Sequence, residues 1–479
     1  MLRMSVEKVI NVTNASVVVA GSKDVAGEVV IDSREVAAGG VFVAFRGERS
    51  DGNAYLAQAA RSGASVVVAS AEPAEEACAA ARACDCTLVR AENDDCEEFL
   101  LRLAHAWRLE HPSWIVIGVT GSVGKTTTKD MLRTAISSQR RCHATSGNFN
   151  NLIGLPLTVL SAPDDAEVLV CELGMNHPHE IGRMSACCEP TLALVTNVGT
   201  SHIGLLGSRE GIARAKAEIV SGMHAVGNLG PTLVLRSADD FTPLIAEEYA
   251  RPVGVEVKTV GNAEGDMMSA SDCKLGDDGH VSVTLSSRDG WSARSRLPVP
   301  GERAVDDLLL AMAMVSELGL DRDLALAAVE RMPATHMRLE VSTSPSGIQV
   351  IDDSYNAAPA SMASALDVLS SMACDGRRVA MLGEMGELGE HARRLHGYVG
   401  AYAAAKGLDL LVFVGGSLAD EMAEAARTMG MSEDAIERFD DAETAGDVLL
   451  EVLAPHDVVL AKGSRAVGLD VVVRKVLSR

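Results

Sequence analysis

The sequence has no run of about 18 uninterrupted apolar residues, which is the length that a helix needs to span a bilayer. Its first residues include charged and polar side chains where a signal peptide would have an apolar core. Internal repeats and low-complexity tracts are missing as well. We therefore expect a soluble, cytoplasmic protein that does not insert stably into a membrane.

Positive charge is scarce, because 43 Lys and Arg residues stand against 66 Asp and Glu residues and the formal net charge is -23. This balance excludes a protein that coats nucleic acid or anionic membrane, since phosphate neutralisation needs a basic face. Small anionic substrates would need local clusters of positive charge. The candidate cations, which lie in Gly- or Ser-containing turns or beside apolar runs, are Arg34, Arg46, Lys125, Lys216, Arg338, Lys462 and Arg465.

The ten cysteines form no CxxC pair and no regular framework. In a long chain this pattern indicates reduced thiols of a cytoplasmic protein. Cys84 and Cys86 are close enough in sequence to suggest metal ligands, but no matching second pair exists. We therefore favour ordinary thiols at these positions.

The chain has 479 residues, more than the roughly 250–300 residues at which one hydrophobic core stops growing. Composition divides it into three blocks, 1–112, 113–332 and 333–479, with prolines at both boundaries. Strand-like runs alternate with helices in the second and third blocks, the pattern of a parallel sheet covered on both faces. The fold class is therefore α/β, and a β-rich stretch at 253–297 interrupts the second block.

The predicted elements have these bounds. Strands are predicted at 17–20, 41–44, 65–68, 115–119, 168–171, 192–195, 348–351, 379–382, 410–414 and 458–461, and helices at 74–83 and 306–318.

Residues 116–130 read VIGVTGSVGKTTTKD, an apolar strand followed by a glycine-bearing turn and a polar helix. Backbone N–H groups at such a turn bind phosphate, a lysine adds a full charge and a hydroxyl reaches Mg²⁺. Val119 replaces the first glycine of the usual P-loop pattern, so an ordinary strand-to-helix turn is the alternative interpretation. The residues predicted to bind ATP are Gly121, Ser122, Val123, Gly124, Lys125, Thr126 and Thr127, with Thr126 also binding Mg²⁺.

Two further strand ends carry polar residues. Glu172 ends the strand at 168–171, and His202 follows the strand at 192–195. Open α/β sheets place their sites at such ends, and a carboxylate and an imidazole beside a P-loop would suit a divalent cation. Taken singly, the carboxylate could cap a helix and the histidine could be solvated. Together with the P-loop, they favour a magnesium site.

Other polar positions are less specific. Lys216 lies among alanines rather than on a charged helix face, although a surface lysine is the default interpretation. Asn148, Asn150 and Asn151 precede a predicted helix and could read peptide or phosphate groups of a substrate. An asparagine-rich turn explains the same pattern equally well.

The motifs that carry a family resemblance run from about Asp32 to Asp470. In order they are TGSVGKTTT, GNFNNLIGLPLT, ELGMN, TNVGTSHIGLLGS, ARAKAEI, MRLEV, DDSYNAAPASM, LGEMGELGE and KGSRAVGLD. In this order the chain resembles the Mur ligases, ATP-dependent amide ligases of peptidoglycan synthesis. On residues 352–356 and 382–390 it is most similar to the branch that joins D-alanyl-D-alanine to UDP-N-acetylmuramoyl-tripeptide.

The resemblance implies an N-terminal UDP-binding domain, a central P-loop ATPase domain and a C-terminal Rossmann-like domain. It implies substrate binding by residues 45–52 and by Ser33, Arg34, Arg46, Asn148, Asn151, Lys462 and Arg465. It implies ATP binding also by Asp307, Arg338, Asp353 and Asn356. Two Mg²⁺ ions would be bound, by Thr126, Glu172, His202 and Lys216, and Lys216 falls where related ligases carry a carbamylated lysine.

The implied reaction starts when the tripeptide carboxylate attacks the γ-phosphate of ATP, giving an acyl phosphate and ADP. The amine of D-alanyl-D-alanine then displaces phosphate. Lys125, His202 and Lys216 are the implied catalytic residues, since two anions must be brought together. Both lysine and diaminopimelate fit as the third tripeptide residue, and we expect a monomer.

Three positions depart from the family pattern. Residues 302–307 replace its His-Asn-Val-x-Asn sequence, so Asp307 stands where an asparagine amide approaches adenine. Met337 replaces a glycine before Arg338, and Asn53 replaces a histidine. The change at Arg303-Ala304-Val305-Asp306-Asp307 predicts altered nucleotide affinity or base selectivity.

Two other functions compete with this one. A sister Mur ligase or a folylpolyglutamate synthase would differ in the acceptor that stimulates ADP release. A non-catalytic nucleotide-binding module is conceivable because of the changed segment at 306–307. The presence of Lys125, Glu172, His202 and Lys216 argues against such a module, which has less need of a paired metal site.

Overall fold

A computed structural model describes residues 2–47 and 50–479. Glu48 and Arg49, which belong to the expected UDP-binding stretch, lie outside the described residues. The α/β fold class is confirmed, because each block of the chain forms a sheet with mainly parallel strands. The described residues contain no helix that is both long and apolar enough to cross a membrane, and none of the ten cysteines is in a disulfide.

The N-terminal block forms a sheet with strand order β2-β7-β6-β5-β4. Strands β4 to β7 are parallel, so the loops that follow β4 and β5 meet at one edge. The strands are β1 (Leu2–Met4), β2 (Ser16–Val19), β3 (Val25–Gly27), β4 (Val29–Val30), β5 (Val41–Val43), β6 (Val66–Ala69) and β7 (Thr87–Arg90), and the helices are α1 (Val6–Thr13), α2 (Leu56–Arg61), α3 (Glu75–Ala83) and α4 (Cys96–Glu110).

The central block forms a sheet with strand order β16-β15-β14-β13-β12-β11-β8-β10-β9. Its strands are β8 (Ile115–Thr120), β9 (Cys142–Ala144), β10 (Val168–Glu172), β11 (Leu192–Val195), β12 (Thr232–Arg236), β13 (Glu256–Val260), β14 (Met268–Leu275), β15 (His280–Ser287) and β16 (Ser292–Pro300). Its helices are α5 (Lys125–Ser137), α6 (Gly154–Ser161), α7 (Glu180–Cys188), α8 (Ile203–Leu206), α9 (Arg209–Ala217), α10 (Thr242–Leu244), α11 (Arg303–Glu317) and α12 (Arg322–Val329).

The β-rich stretch at 253–297 extends this sheet rather than interrupting it. Strand β13 pairs in parallel with β12, and β14 to β16 continue as an antiparallel meander. The added strands give β12 a hydrogen-bonding neighbour on its far side, which avoids an exposed sheet edge there.

Strand β8 shows why the central strands have continuous apolar sequences. Ile117 and Val119 belong to the core that contains α5 and α11, whereas Val116 belongs to the core that contains α6 and α7. Successive side chains of a strand point to opposite faces, so a strand covered on both faces must be apolar throughout. This burial fixes the carboxyl end of β8, where the P-loop begins.

The C-terminal block forms a sheet with strand order β17-β18-β22-β19-β20-β21, in which only the pairing of β17 with β18 is antiparallel. Its strands are β17 (Glu340–Thr343), β18 (Gln349–Asp352), β19 (Arg378–Gly383), β20 (Leu410–Val414), β21 (Ile436–Phe439) and β22 (Val458–Lys462). Its helices are α13 (Pro359–Ser371), α14 (Ala392–Ala404), α15 (Ser417–Thr428), α16 (Ala442–Val452) and α17 (Asp470–Leu477).

Close packing of α14 on α15 can be tested at Gly400. A Cβ atom at this position would lie 2.1 Å from the carbonyl oxygen of Met422, so Gly400→Ala should lower the free energy of unfolding by about 1–3 kcal/mol. Gly397, on the same helix, is the matched control, because its nearest contact would be Glu421 Oε1 at 3.8 Å. Gly397→Ala should leave stability unchanged or raise it by about 0.5–1 kcal/mol. Urea unfolding measures both variants, and equal stability would show that the helices do not pack this closely.

Candidate active site

The turn between β8 and α5 takes a conformation that its glycines permit. Gly121 has φ +148° and Gly124 has φ +89°. A Cβ atom on Gly121 would lie 1.8 Å from Thr196 Oγ1, and one on Gly124 would lie 2.4 Å from Asp307 Oδ1. The turn therefore packs against its neighbours through bare backbone and leads into the N-terminus of α5, which is the geometry of an anion-binding loop.

The segment after β11 braces this turn with hydrogen bonds. Asn197 accepts from Ser122 N through its carbonyl oxygen at 3.0 Å and from Val123 N through Oδ1 at 3.2 Å. Thr196 Oγ1 donates to Val123 O at 2.6 Å, and Gly199 N donates to Ser122 Oγ at 2.9 Å. These hydrogen bonds hold the P-loop in shape, which reduces the entropy lost on binding.

Lys125 is the first residue of α5 and is half-buried. Its Nζ donates to Gly121 O at 2.8 Å. Loss of hydration lowers the pKa of Lys125, with Arg338 lowering it further and Glu172 and Glu387 raising it. Two groups of the C-terminal block therefore lie near enough to the P-loop lysine to influence its charge. Thr126 and Thr127 follow in the first turn of the helix.

Glu172 is the last residue of β10 and is buried beside the P-loop helix. Its Oε1 accepts from Asn150 Nδ2 at 2.8 Å and lies 3.4 Å from Thr126 Oγ1. Its Oε2 is buried and has no hydrogen-bond partner among the described residues. An unpaired buried carboxylate oxygen next to a threonine hydroxyl suits a magnesium ion that takes its remaining ligands from phosphate and water.

No group of three or more His, Cys, Asp or Glu side chains within residues 2–47 and 50–479 is arranged to hold a metal by itself.

His202 lies at the start of α8 with φ +65°. Its Nδ1 is 2.5 Å from Oε2 of Glu387, a residue of the C-terminal block. The contact is within ion-pair distance but lacks the angle of a linear hydrogen bond in this structure. Interaction with His202 lowers the pKa of Glu387.

Lys216 is 1% exposed, and its amine has no hydrogen-bond or ion-pair partner among the described residues. Burial lowers the pKa of Lys216 well below its usual range, and the charge of Lys125 lowers it further. Burial therefore shifts the balance at this position towards the neutral form of the amine.

Asp307 lies on α11 and is 8% exposed. Its Oδ1 accepts from Thr128 Oγ1 at 3.1 Å and faces Gly124. Burial raises the pKa of Asp307 to about 8. Asp307, which the family resemblance predicts to bind ATP, is thus packed against the Gly124 backbone of the phosphate-binding turn.

The C-terminal block brings a second set of polar groups together. Strands β18 and β22 are parallel neighbours, so Asp353 and Lys462 meet at their carboxyl ends. Lys462 Nζ donates to Asp353 Oδ2 at 2.6 Å and to Asn356 O at 3.0 Å. Burial raises the pKa of Asp353 and lowers that of Lys462. The Arg338 guanidinium stacks 4.2 Å from the centroid of the Tyr355 ring.

The remaining predicted residues are spread over loops of all three blocks. Ser33 and Arg34 follow β4 and Arg46 follows β5, so they share one sheet edge. Arg34 pairs with Asp32, Arg46 with Asp51, and Arg465 with Asp470.

In the asparagine-rich loop, Asn148 is exposed, and Asn151 Oδ1 accepts from Gly154 N at 2.8 Å. Asn151 therefore caps α6 with its oxygen and leaves its amide nitrogen for other contacts.

Sequence reasoning missed three groups that shape this site. Thr196 and Asn197 brace the P-loop, and their place directly after β11 was the available signal. Glu387 lies in the quoted motif LGEMGELGE, but nothing in the sequence brings that motif to His202. Its contact depends on how the blocks pack.

Sequence profiles of one family match most of the chain. They are the Mur ligase family, catalytic domain at residues 27–107, the Mur ligase middle domain at 119–315, and the Mur ligase, glutamate ligase domain at 337–465. The UDP-N-acetylmuramoyl-tripeptide–D-alanyl-D-alanine ligase of Bacillus subtilis (strain 168) is 33% identical over 453 residues, which make up 94% of this chain and 93% of that protein.

Solved structures of MurF resemble the whole fold. MurF from Acinetobacter baumannii superposes with a TM-score of 0.86 at 28% identity, covering 100% of this chain and 99% of that one. MurF ligase from Thermotoga maritima in complex with ADP gives a TM-score of 0.78 at 26% identity, covering 94% of this chain and 97% of that one.

The raised pKa of Asp307 predicts a pH-dependent stability. Between pH 3.8, the ordinary pKa of Asp, and about 8, the folded state keeps a proton that the unfolded state releases, so stability falls as pH rises through this window. Asp307→Asn removes this loss. The free energy of unfolding of Asp307→Asn minus that of the unmodified chain should increase by up to about 1.4 kcal/mol per pH unit from pH 5 to pH 8. Denaturant unfolding at several pH values measures the difference.

The control for this measurement is Asp434→Asn, which changes an exposed aspartate on a loop. A difference for Asp307→Asn that stays constant with pH would contradict the prediction.

Proposed function

Because the chain belongs to the Mur ligase family, we propose that it is an ATP-dependent, ADP-forming amide ligase that joins D-alanyl-D-alanine to UDP-N-acetylmuramoyl-tripeptide in peptidoglycan synthesis. The observation that carries the proposal is the braced P-loop, in which Lys125 at the start of α5 donates from Nζ to Gly121 O. Likeness over nearly the full length to ligases named for this reaction supports the choice of substrates.

ATP is bound by its phosphates in the first step. Residues 121–127 form the phosphate-binding turn, the backbone N–H groups of residues 124–127 and the positive end of α5 face the phosphate oxygens, and the Lys125 amine adds a full charge. Arg338, Asp353 and Asn356 reach the nucleotide from the C-terminal block, and Asp307 supports the turn from behind through Gly124. Charge neutralisation matters most, because the γ-phosphate must meet a carboxylate.

The tripeptide carboxylate then attacks the γ-phosphate, giving an acyl phosphate and ADP. The amine of D-alanyl-D-alanine attacks the activated carbonyl, and phosphate leaves from the tetrahedral intermediate. Thr126, Glu172, His202 and Lys216 would hold two Mg²⁺ ions, which neutralise phosphate charge when bound. Contacts between the central and C-terminal blocks exclude water, so the acyl phosphate meets the amine before hydrolysis.

The UDP-linked substrate is bound by Ser33, Arg34 and Arg46 of the N-terminal block, with Asn148, Asn151, Lys462 and Arg465 nearer the reacting carboxylate. We place the domain boundaries at 112/113 and 332/333, so that each sheet forms one functional domain. ATP and a UDP-linked sugar are cytoplasmic metabolites, and we propose that the protein works in the cytoplasm as a monomer.

A phosphate-release assay tests this function. Phosphate should appear only when ATP, UDP-N-acetylmuramoyl-tripeptide and D-alanyl-D-alanine are all present, and parallel reactions with the lysine and diaminopimelate tripeptides identify the third residue. Lys125→Ala should lower turnover by about 100- to 1,000-fold, because one preorganised charge is lost, and should leave UDP-substrate binding nearly unchanged.

Lys274→Ala, which changes an exposed lysine on β14, is the control and should retain full activity. Normal turnover by Lys125→Ala would show that the assigned role is wrong. Stimulation by a single amino acid instead of the dipeptide would favour a sister Mur ligase or a folylpolyglutamate synthase. Nucleotide binding without turnover would favour a binding module.

We further propose that Lys216 is carbamylated, which would convert a buried amine into a carboxylate-like magnesium ligand. Its lowered pKa supports this, since only the neutral amine adds to CO₂. Protein equilibrated with ¹³C-bicarbonate should show a carbamate carbonyl resonance that Lys216→Ala lacks. Identical ¹³C spectra for the two proteins would argue against the modification.

A further inference from the structure

The contact between His202 and Glu387 joins two domains at the reaction centre. His202 belongs to the loop after β11 in the central domain, and Glu387 belongs to the loop between β19 and α14 in the C-terminal domain. Their side chains approach to 2.5 Å between Nδ1 and Oε2. The imidazole is largely buried, whereas the carboxylate is about half-exposed.

The backbones of the two loops meet directly beside this contact. Gly204 N donates a hydrogen bond to Glu387 O at 3.1 Å. A Cβ atom on Gly204 would lie 2.4 Å from Gly389 N, and one on Gly389 would lie 2.7 Å from Gly204 Cα. Such an approach tolerates no side chain on either glycine, so the two loops fit each other in one arrangement.

The loop that carries Glu387 is held in place by contacts within the C-terminal domain. Glu384 Oε1 accepts from Leu418 N at 3.0 Å at the start of α15. Met385 N donates to Nε2 of the buried His396 at 2.8 Å, and Leu388 is buried. Glu387 is therefore presented by a loop that is anchored on both sides of it.

Both members of the pair have a strained backbone. His202 has φ +65° and Glu387 has φ +62°, values that residues other than glycine rarely adopt. A residue held in this region persists where the surrounding structure requires it. The packing of the two loops therefore holds both residues in this conformation.

We propose that Glu387 is a positioning residue, which orients the His202 ring from the C-terminal domain so that Nε2 points at the metal site only when the two domains are docked. A carboxylate beside the outer nitrogen of a metal-binding histidine fixes the ring orientation and raises its basicity. Nδ1 faces Glu387 here, which leaves Nε2 as the nitrogen for the site. Hydrogen bonds of this kind are often misaligned before substrates bind and tighten afterwards.

This inference rests on the proposed function. It adds a way in which the enzyme limits hydrolysis of the acyl phosphate. If the metal site is complete only when the C-terminal domain is docked, phosphoryl transfer awaits the closed state. The acyl phosphate then forms where water is excluded, rather than in an open cleft where it would hydrolyse.

The test uses Mn²⁺ as a paramagnetic probe of the metal site, with the full-length chain and a non-hydrolysable ATP analogue. Glu387→Ala should weaken Mn²⁺ binding about 10- to 100-fold in an electron paramagnetic resonance titration, the range found when an outer carboxylate is removed. It should lower kcat by a similar factor and leave the KM for the UDP-substrate unchanged. Glu387→Gln, whose amide oxygen can still accept from Nδ1, should lose less in both measurements.

One control variant and one additional loop variant separate positioning from a general effect on folding. Glu390→Ala changes an exposed carboxylate of the same loop and should behave like the unmodified chain. Gly204→Ala introduces a methyl group between the two loops without changing His202 or Glu387, and it should also weaken Mn²⁺ binding and lower kcat. Thermal unfolding of each variant checks that it is folded.

The outcomes distinguish this inference from the function on which it depends. If the unmodified chain releases no phosphate with the three substrates, the proposed function fails. If it does, and folded Glu387→Ala or Gly204→Ala binds Mn²⁺ and turns over like it, the positioning role is overturned. Equal loss in Glu387→Ala and Glu390→Ala would overturn it as well, because a general effect of loop charge would then suffice.

Discussion

The phosphate-binding turn depends on backbone packing that leaves no room for side chains. Gly121 lies against Thr196, and Gly124 lies against Asp307, at distances that a Cβ atom would violate. The hydrogen bonds from Thr196 and Asn197 then fix the direction of the amides in the turn. Because the protein makes these contacts with its own residues, binding energy need not be spent on ordering the loop.

The charged groups beside this turn interact strongly because they are partly buried. The protein as a whole is acidic, with a net charge of -23. Beside the turn, the half-buried Lys125 interacts with Glu172 from the same sheet and with Arg338 and Glu387 from the C-terminal domain. In a partly desolvated site these interactions are stronger than they would be in water. Cations and carboxylates are therefore paired around the turn, inside a protein that is acidic as a whole.

Helix α5, which follows the phosphate-binding turn, is also linked to the C-terminal domain by a side-chain hydrogen bond. Thr335, in the segment that leads to Arg338, donates from Oγ1 to Asp130 Oδ2 on α5 at 2.7 Å. This hydrogen bond connects α5 to the C-terminal block, and the pair of His202 and Glu387 connects the loop after β11 to the same block. Nucleotide binding and domain docking can therefore influence each other through short polar contacts.

The sequence by itself determined the α/β class, the P-loop and the strand ends that carry Glu172 and His202. These follow from local rules, because buried parallel strands must be apolar along their whole length and their carboxyl ends share one edge. Tertiary structure alone decided that Asp307 packs against Gly124 of the turn and that Glu387 reaches His202. Each of these depends on packing between segments far apart in the chain, and no local pattern encodes the distance or the angle at which such segments meet.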